Sequence, residues 1–265
     1  MSAGRFISPL VKKRAPGRWL LPVAVLAALI GAWQLAASID AIAEALAIEP
    51  FLLPSPAEVA SALWENRSLL ADNAWVTMKE IFLGFLCAVA VGLAFAVALH
   101  LSETLRRAVY PLLVASQTVP VVVIAPILIV WFGFGIGPKL AVVALICFFP
   151  ITVNTVDGLR SVDPEAVKMM RTLDGSRMQI LRRLEVPSAL PYFFSGARIA
   201  VAVAVIAAVF AEWVTSEAGL GRLILQDVAR LETARMFAAT VVLAAIAVAL
   251  FALIALAERR VVRWR

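Results

Sequence analysis

Charge is scarce in this chain of 265 residues: Asp, Glu, Lys and Arg make up 16% against 63% hydrophobic, where a soluble domain carries roughly a quarter charged residues. That deficit excludes a soluble globular domain and indicates an integral membrane protein. Histidine occurs once and cysteine twice. His100 closes an apolar run and reads as an interfacial polar residue, with no histidine left over for a nucleophilic pair inside the membrane. Cys87 and Cys147 both lie within apolar runs, which argues against a disulfide framework or a zinc site and for ordinary packing. The chain also lacks a glycine-rich Walker sequence and a pair of aspartates inside its apolar runs. It therefore reads as non-catalytic, with no cofactor of its own. The net charge of +6 is not a nucleic-acid footprint, because a basic patch needs a folded soluble domain to present it. No nucleic-acid partner is expected.

What the chain has instead is apolar runs. Measured against the roughly 20 residues that a helix needs to cross the hydrocarbon core, they fall at about Trp19 to Ser38, Trp75 to Leu99, Ala108 to Phe132, Leu140 to Val156, Pro191 to Val214 and Met236 to Ala257. The expected fold is all-α and polytopic, with six transmembrane helices. The first run follows Lys12, Lys13 and Arg14 but is longer than the roughly 7 to 15 residues of a signal-peptide core, so it reads as an anchoring helix. Lys and Arg alternate in density from loop to loop. They are dense in the arm before the first span (Arg5, Lys12, Lys13, Arg14, Arg18), at Arg106 and Arg107, between Arg160 and Arg183, and in the tail at Arg259, Arg260, Arg263 and Arg265. They are sparse in the other loops, so both termini and the loop after the fourth span are expected to be cytoplasmic. The chain then divides into a cytoplasmic arm (1–18), a first transmembrane helix (19–38), an external segment with a short helix (39–74), a five-helix core (75–257) carrying a cytoplasmic loop (157–190), and a cytoplasmic tail (258–265).

In the external segment, "LPSPAEVASALW" places Ser55 to cap a helix that starts at Pro56, with Glu58 completing a capping box. The stretch is either a solvated connector or a docking surface. Spans three and four are broken by Pro111, Pro120, Pro126 and Pro150, each freeing a carbonyl that lipid cannot satisfy. Gln117, Thr118, Thr152, Asn154 and Thr155 lie near those breaks. They either bond a polar solute or freed backbone, or they glue helix to helix. Arg198 and Glu212 stand near opposite ends of span five, where each is expected to reach water. "TSEAGLGRLILQDVARLETAR" puts Gly219 and Gly221 before an amphipathic stretch, which is an outer gate, a contact for a binding protein, or a connector.

Charge also gathers between two long apolar runs, in "MRTLDGSRMQILRRLEVPSALP". Asp163 and Pro164 start a helix whose Ala166, Met169, Met170 and Leu173 recur at helical spacing. Asp174 and Gly175 end it, glycine being the residue that takes a left-handed backbone at low cost. Ser176 and Gln179 form a second capping box, and Pro187 is expected to stop the helix that follows. Two short amphipathic helices joined at a tight corner suit a groove on a soluble partner better than a membrane surface, which would not need the corner.

This loop resembles the EAA loop, the cytoplasmic coupling motif in permease subunits of bacterial ATP-binding-cassette importers, with Gly175 at the motif's glycine and Leu184, Val186 and Pro187 at its ending. The triplet positions hold Met169, Met170 and Arg171, and Glu165 and Ala166 are out of register. The resemblance extends through "LPSPAEV", "QTVPVVVIAPILIVWFGFGIGPK" and "AEWVTSEAGLGRLI" to the branch that imports nitrate, alkylsulfonates, taurine, riboflavin and pyrimidine thiamine precursors. It implies a type I importer fold, an inner-membrane location, a second copy of the chain as dimer partner, an ATPase dimer on the cytoplasmic side and a periplasmic or lipid-anchored substrate-binding protein outside. ATP hydrolysis would belong to the partner. On this resemblance Leu173, Asp174, Gly175, Ser176, Arg177 and Pro187 couple to the ATPase, and Gln117, Pro120, Asn154 and Glu212 face the translocation path. A small organic nutrient, a pyrimidine precursor or riboflavin-like compound ahead of a sulfonate, taurine or nitrate, is the expected cargo. The alternative is an ion-coupled secondary carrier that acts without an ATPase, for which paired inverted halves and membrane-embedded ionisable residues are expected and are not evident in the sequence.

Overall fold

The computed structural model describes residues 20–39, 49, 52–215 and 217–264. The expected arm at 1–18, most of the stretch 40–51, and Arg265 lie outside the described residues. The chain forms two compact units, residues 1–61 and 62–265.

In the first unit, helix α1 (Leu20–Ser38) is apolar all round, with no polar face. Helix α2 (Pro56–Glu65), whose last residues belong to the second unit, begins with the predicted capping box. Ser55 N donates to Glu58 Oε2 at 2.7 Å, and Glu58 N donates to Ser55 Oγ at 3.2 Å.

The second unit comprises α3 (Arg67–Leu101), α4 (Glu103–Ser116), α5 (Val121–Phe132), α6 (Ile136–Arg160), α7 (Pro164–Thr172), α8 (Arg177–Ile180), a π turn (Leu181–Glu185), α9 (Val186–Thr215), α10 (Leu220–Arg230) and α11 (Thr233–Val261). The described residues contain no strand, so the all-α expectation holds. Among the described residues, five helical runs are long and apolar enough to cross a membrane: Leu20–Ser38, Arg67–Leu101, Ile136–Arg160, Arg177–Val214 and Thr233–Val261.

The expected third span, Ala108 to Phe132, is not one helix. It is α4 and α5, separated at Gln117–Pro120, where the turn closes with tight bonds from Gln117 N to Val114 O (3.2 Å) and Val119 N to Ser116 O (3.2 Å). Pro120 has no N–H to continue the ladder and instead caps α5 with an extended backbone. Pro126 is held within α5.

Side-chain contacts set the helix directions. Glu80 of α3 meets Lys139 at the start of α6, while Ala96 and Leu99 at the far end of α3 pack with Val156 near the end of α6. The start of α9 packs on Leu159 through Ala189, and its end reaches Thr77 through Glu212. Thus α3 and α6 run one way and α9 the other. Since the chain leaves α3 at the His100 end and enters α6 at the Glu212 end, α4 and α5 together carry it across the bundle.

The seam between α3 and α6 is built from small residues. Gly84, Ala88, Gly92 and Ala96 recur one turn apart on α3 and are all buried. A Cβ on Gly84 would stand 2.6 Å from Val143 Cβ, and one on Gly92 would stand 3.0 Å from Ile151 Cγ2. The α3 backbone therefore packs directly on α6 side chains here, and dispersion contacts plus close approach substitute for the hydrophobic drive that lipid does not provide.

Candidate functional site

The arginine-rich corner lies at the His100 end. Helix α7 starts as its sequence dictates: Asp163 Oδ1 accepts from Glu165 N at 2.9 Å, with Pro164 in the first turn. It ends in a Schellman turn, in which Gly175 N donates to Met170 O at 2.9 Å and Asp174 N donates to Arg171 O at 3.1 Å. The left-handed position expected at Gly175 belongs instead to Asp174, at φ 55°. An aspartate tolerates it because its short polar side chain can bond locally. Glycine is needed next to it for space, since a Cβ on Gly175 would lie 2.6 Å from the Met170 carbonyl oxygen. Ser176 then caps α8, its Oγ accepting from Gln179 N at 3.3 Å while Ser176 N donates to Gln179 Oε1 at 2.8 Å.

Pro187 does not stop the helix. The rod runs on from Arg177 to Val214, because the π turn at Leu181–Glu185 widens it just ahead of the proline. Val186 N reaches back to Leu181 O, one residue further than in an α-helix, and that slack admits a residue without an N–H. The same turn aims Glu185 inward, where it is 4% exposed. Its Oε1 accepts from Arg177 Nη1 at 2.6 Å, and its Oε2 lies 2.8 Å from His100 Nε2. Arg177 Nη2 is 3.0 Å from that same ring nitrogen. His100 is therefore nearly buried against that carboxylate, with half-exposed Arg177 beside it. Beside it Ile180 and Leu181 are buried, Leu181 against Leu159, Ala189 and Val97. By contrast α7 buries none of its residues, and Met169 and Leu173 stand 62% and 74% exposed.

At the opposite end it is the Glu212 carboxylate whose oxygens are both engaged. Glu212 does not reach water: it is fully buried. Its Oε1 accepts from Thr77 Oγ1 at 2.6 Å, and its Oε2 accepts from Gly221 N at 2.5 Å and Arg222 N at 3.3 Å. Leu220 N donates to Thr77 Oγ1 at 2.9 Å and Gly219 N to Asn73 Oδ1 at 2.7 Å. The leading N–H groups of α10, which have no partner within the helix, are thus all satisfied, with a carboxylate set on the positive end of the helix dipole. Gly219 (φ 122°) leaves no room for a Cβ beside that carboxylate. Close by, Lys139 Nζ donates to Glu80 Oε1 at 2.7 Å, both side chains nearly buried. This buried ion pair went unseen in the sequence. The visible trace was one face of α3, on which Thr77, Glu80 and Ile81 precede the small residues at helical spacing. Asp227 and Arg235 form a further pair at 2.6 Å, and Arg198 does not reach water alone but pairs with Glu258.

The four path candidates fall in three separate places. Gln117 and Pro120 lie in the exposed break between α4 and α5. Asn154, half-buried, donates through Nδ2 to Pro150 O at 2.8 Å. Glu212 is enclosed in its socket. Thr152 and Thr155 likewise bond carbonyls of their own helix and Thr118 bonds Ala115 O at the end of α4, and Thr152 Oγ1 also lies 3.4 Å from Gly92 O across the seam. An open cavity of about 620 Å³ at the Glu212 end is lined by Phe134, Lys139, Trp213, Glu217 and Arg222 among others.

Residues 88–263 match the family described as binding-protein-dependent transport system inner membrane component. The chain is 37% identical to the riboflavin transport system permease protein RibX of Chloroflexus aurantiacus, across 97% of this chain and 96% of that one. It is 38% identical to the formylaminopyrimidine transport permease protein ThiX of Halalkalibacterium halodurans, across 82% and 87% respectively. Its fold resembles a chain of the MetNI methionine ABC transporter in an inward-facing conformation, with a TM-score of 0.63, 22% identity and coverage of 75% of this chain and 97% of that one.

Proposed function

We propose a role that starts from what those matches establish: the chain belongs to the binding-protein-dependent transport system inner membrane component family and is a non-catalytic, multi-pass permease subunit of an ATP-binding-cassette importer. Beyond that, its six crossings are α1, α3, α4 with α5, α6, α9 and α11. Both termini and the arginine-rich corner face the cytoplasm. The crossing made by α4 and α5 and the alternating Lys and Arg density support this arrangement.

The corner at Leu173–Arg177 is the seat for the ATPase partner, and the observation that carries this is its asymmetry. A capped projection leaves Met169 and Leu173 bare on one arm while the other arm is locked into the bundle. Leu173 supplies the apolar knob, while Asp174, Gly175 and Ser176 hold the turn. Arg177 and Pro187 act within the bundle rather than at the docking surface. Two copies of the chain enclose the path, ATP closes the partner pair below, and the corner moves with it. The cargo is a small planar nutrient delivered by a substrate-binding protein at the Glu212 end. The relatives named for riboflavin and formylaminopyrimidine support that class. Gln117 and Pro120 remain the path candidates, whereas Asn154 and Glu212 hold the helices that frame it.

The test is purification of this chain from gently solubilised membranes beside Leu173→Arg and Gly175→Arg. A subunit with a Walker sequence and ATPase activity should accompany the parent and be lost from both variants. Leu173→Arg adds charge to the docking knob without disturbing the turn, whereas Gly175→Arg drives a side chain into the Met170 carbonyl. Retention of the ATPase by Leu173→Arg would remove the corner as its seat.

A further inference from the structure

We infer that Glu185, held between Arg177 and His100, is the positioning residue through which motion of the corner enters the membrane helices. The inference rests on the corner being the ATPase seat. A push at the corner has two ways in. Helix α7 buries no residue and so has little packing through which to bear on the bundle. The other arm is braced along its length. Arg177 opens α8, Glu185 closes the π turn two helical turns on, and the bond between them stiffens the segment. Glu185 then reaches across to His100 in the last turn of α3, while Ile180 and Leu181 sit in an apolar seat. Displacement of α8 is therefore shared at once by α9, which continues the same rod, and by α3, which is tied to it by a nearly buried carboxylate. The π turn has a purpose in this arrangement: by adding one residue it turns Glu185 toward α3.

A residue that only held the corner together would alter how much complex forms. A residue that transmits motion alters what the bundle does once the ATPase is bound and trapped. The experiment uses the full complex in nanodiscs, in a Cys87→Ser background, with Gln117→Cys or Val228→Cys as reporters of bundle state. The probe is a polar maleimide, applied with and without ATP and orthovanadate. Trapping should change the modification rate in the parent. Glu185→Gln and His100→Gln should shrink that change about fivefold while the ATPase stays bound, as expected for loss of an element coupling two sites. Arg182→Gln, an exposed neighbour, should leave it intact.

An undiminished response in both Glu185→Gln and His100→Gln overturns the inference. So does loss of the ATPase from both, which makes the cluster a docking scaffold, and so does a parent silent at both reporters, since a corner that moves nothing has nothing to transmit. A parent that carries no ATPase at all fails at the earlier step, the reading of the corner itself.

Discussion

At the Glu212 end of the bundle charged groups are folded inward and matched: Glu212 on the start of α10, Glu80 on Lys139, Asp227 on Arg235. At the His100 end the charges grade outward, from buried Glu185 through half-exposed Arg177 to Arg182 and Arg183 on the surface. The first pattern resists change, because moving any member strands a buried partner in low dielectric. The second lets a surface group be displaced while its inner end stays engaged. One end is built to keep its geometry and the other to receive a partner.

Breaking this contrast should begin at the rigid end. Gly219→Val combines a positive φ with a clash against the Glu212 carboxylate, and a loss of about 3–5 kcal/mol is expected. Thermal unfolding followed by reaction of buried Cys147 with a fluorescent maleimide, in the Cys87→Ser background, reads it directly. Next in size, Lys139→Met leaves Glu80 buried without this ion-pair partner and should cost about 3 kcal/mol. Adding Glu80→Met should recover most of that loss, and failure to recover would mean the pair contributes more than mutual neutralisation.

At the other end the effects should be local. Asp174→Val places a β-branched residue in the left-handed region, worth about 1–2 kcal/mol. Because α7 buries nothing, trypsin should cut faster at Lys168 and Arg171 while the Cys147 unfolding temperature stays put. Ser176→Ala removes a cap worth about 1 kcal/mol, and the same proteolysis assay should show a smaller acceleration. Smallest of all is Glu103→Gln, an exposed residue in the first turn of α4 ahead of the span expected from Ala108. Arg106 and then Arg107 hold the Glu103 carboxyl below the usual carboxylate range. A lowered folded pKa means that any stabilisation is complete above the unfolded value and fades as pH falls through the folded one. Solvent screening at this surface should leave the unfolding temperature at neutral pH unchanged.

How far the sequence revealed this structure varied with the range of the interaction. Helix caps at Ser55, Asp163 and Ser176 were legible because donor and acceptor lie within three residues. The long helices were legible because lipid demands continuous apolar surface. Prolines were not. Pro120 stands at a break between helices and Pro187 does not, and at Pro187 the difference is a π turn that no local pattern announces. Glu212 and Thr77 are 135 residues apart, and Glu80 and Lys139 are 59 apart. A lone carboxylate near a span boundary looks the same in sequence whether it faces water or a helix start. Gly175 was legible as essential but for the wrong reason, since close approach and a positive φ leave the same glycine.

The small-residue seam between α3 and α6 restricts how the machine can work. Its residues alternate glycine and alanine, so sliding α3 by one turn would carry Ala88 to the place of Gly84, where a Cβ has no room against Val143. A ratchet of one helix past the other, an available route for conformational change in packed helices, is closed to this pair. The two must travel as a single plate, and whatever opens and shuts around the cargo has to be sought along that plate's other edges.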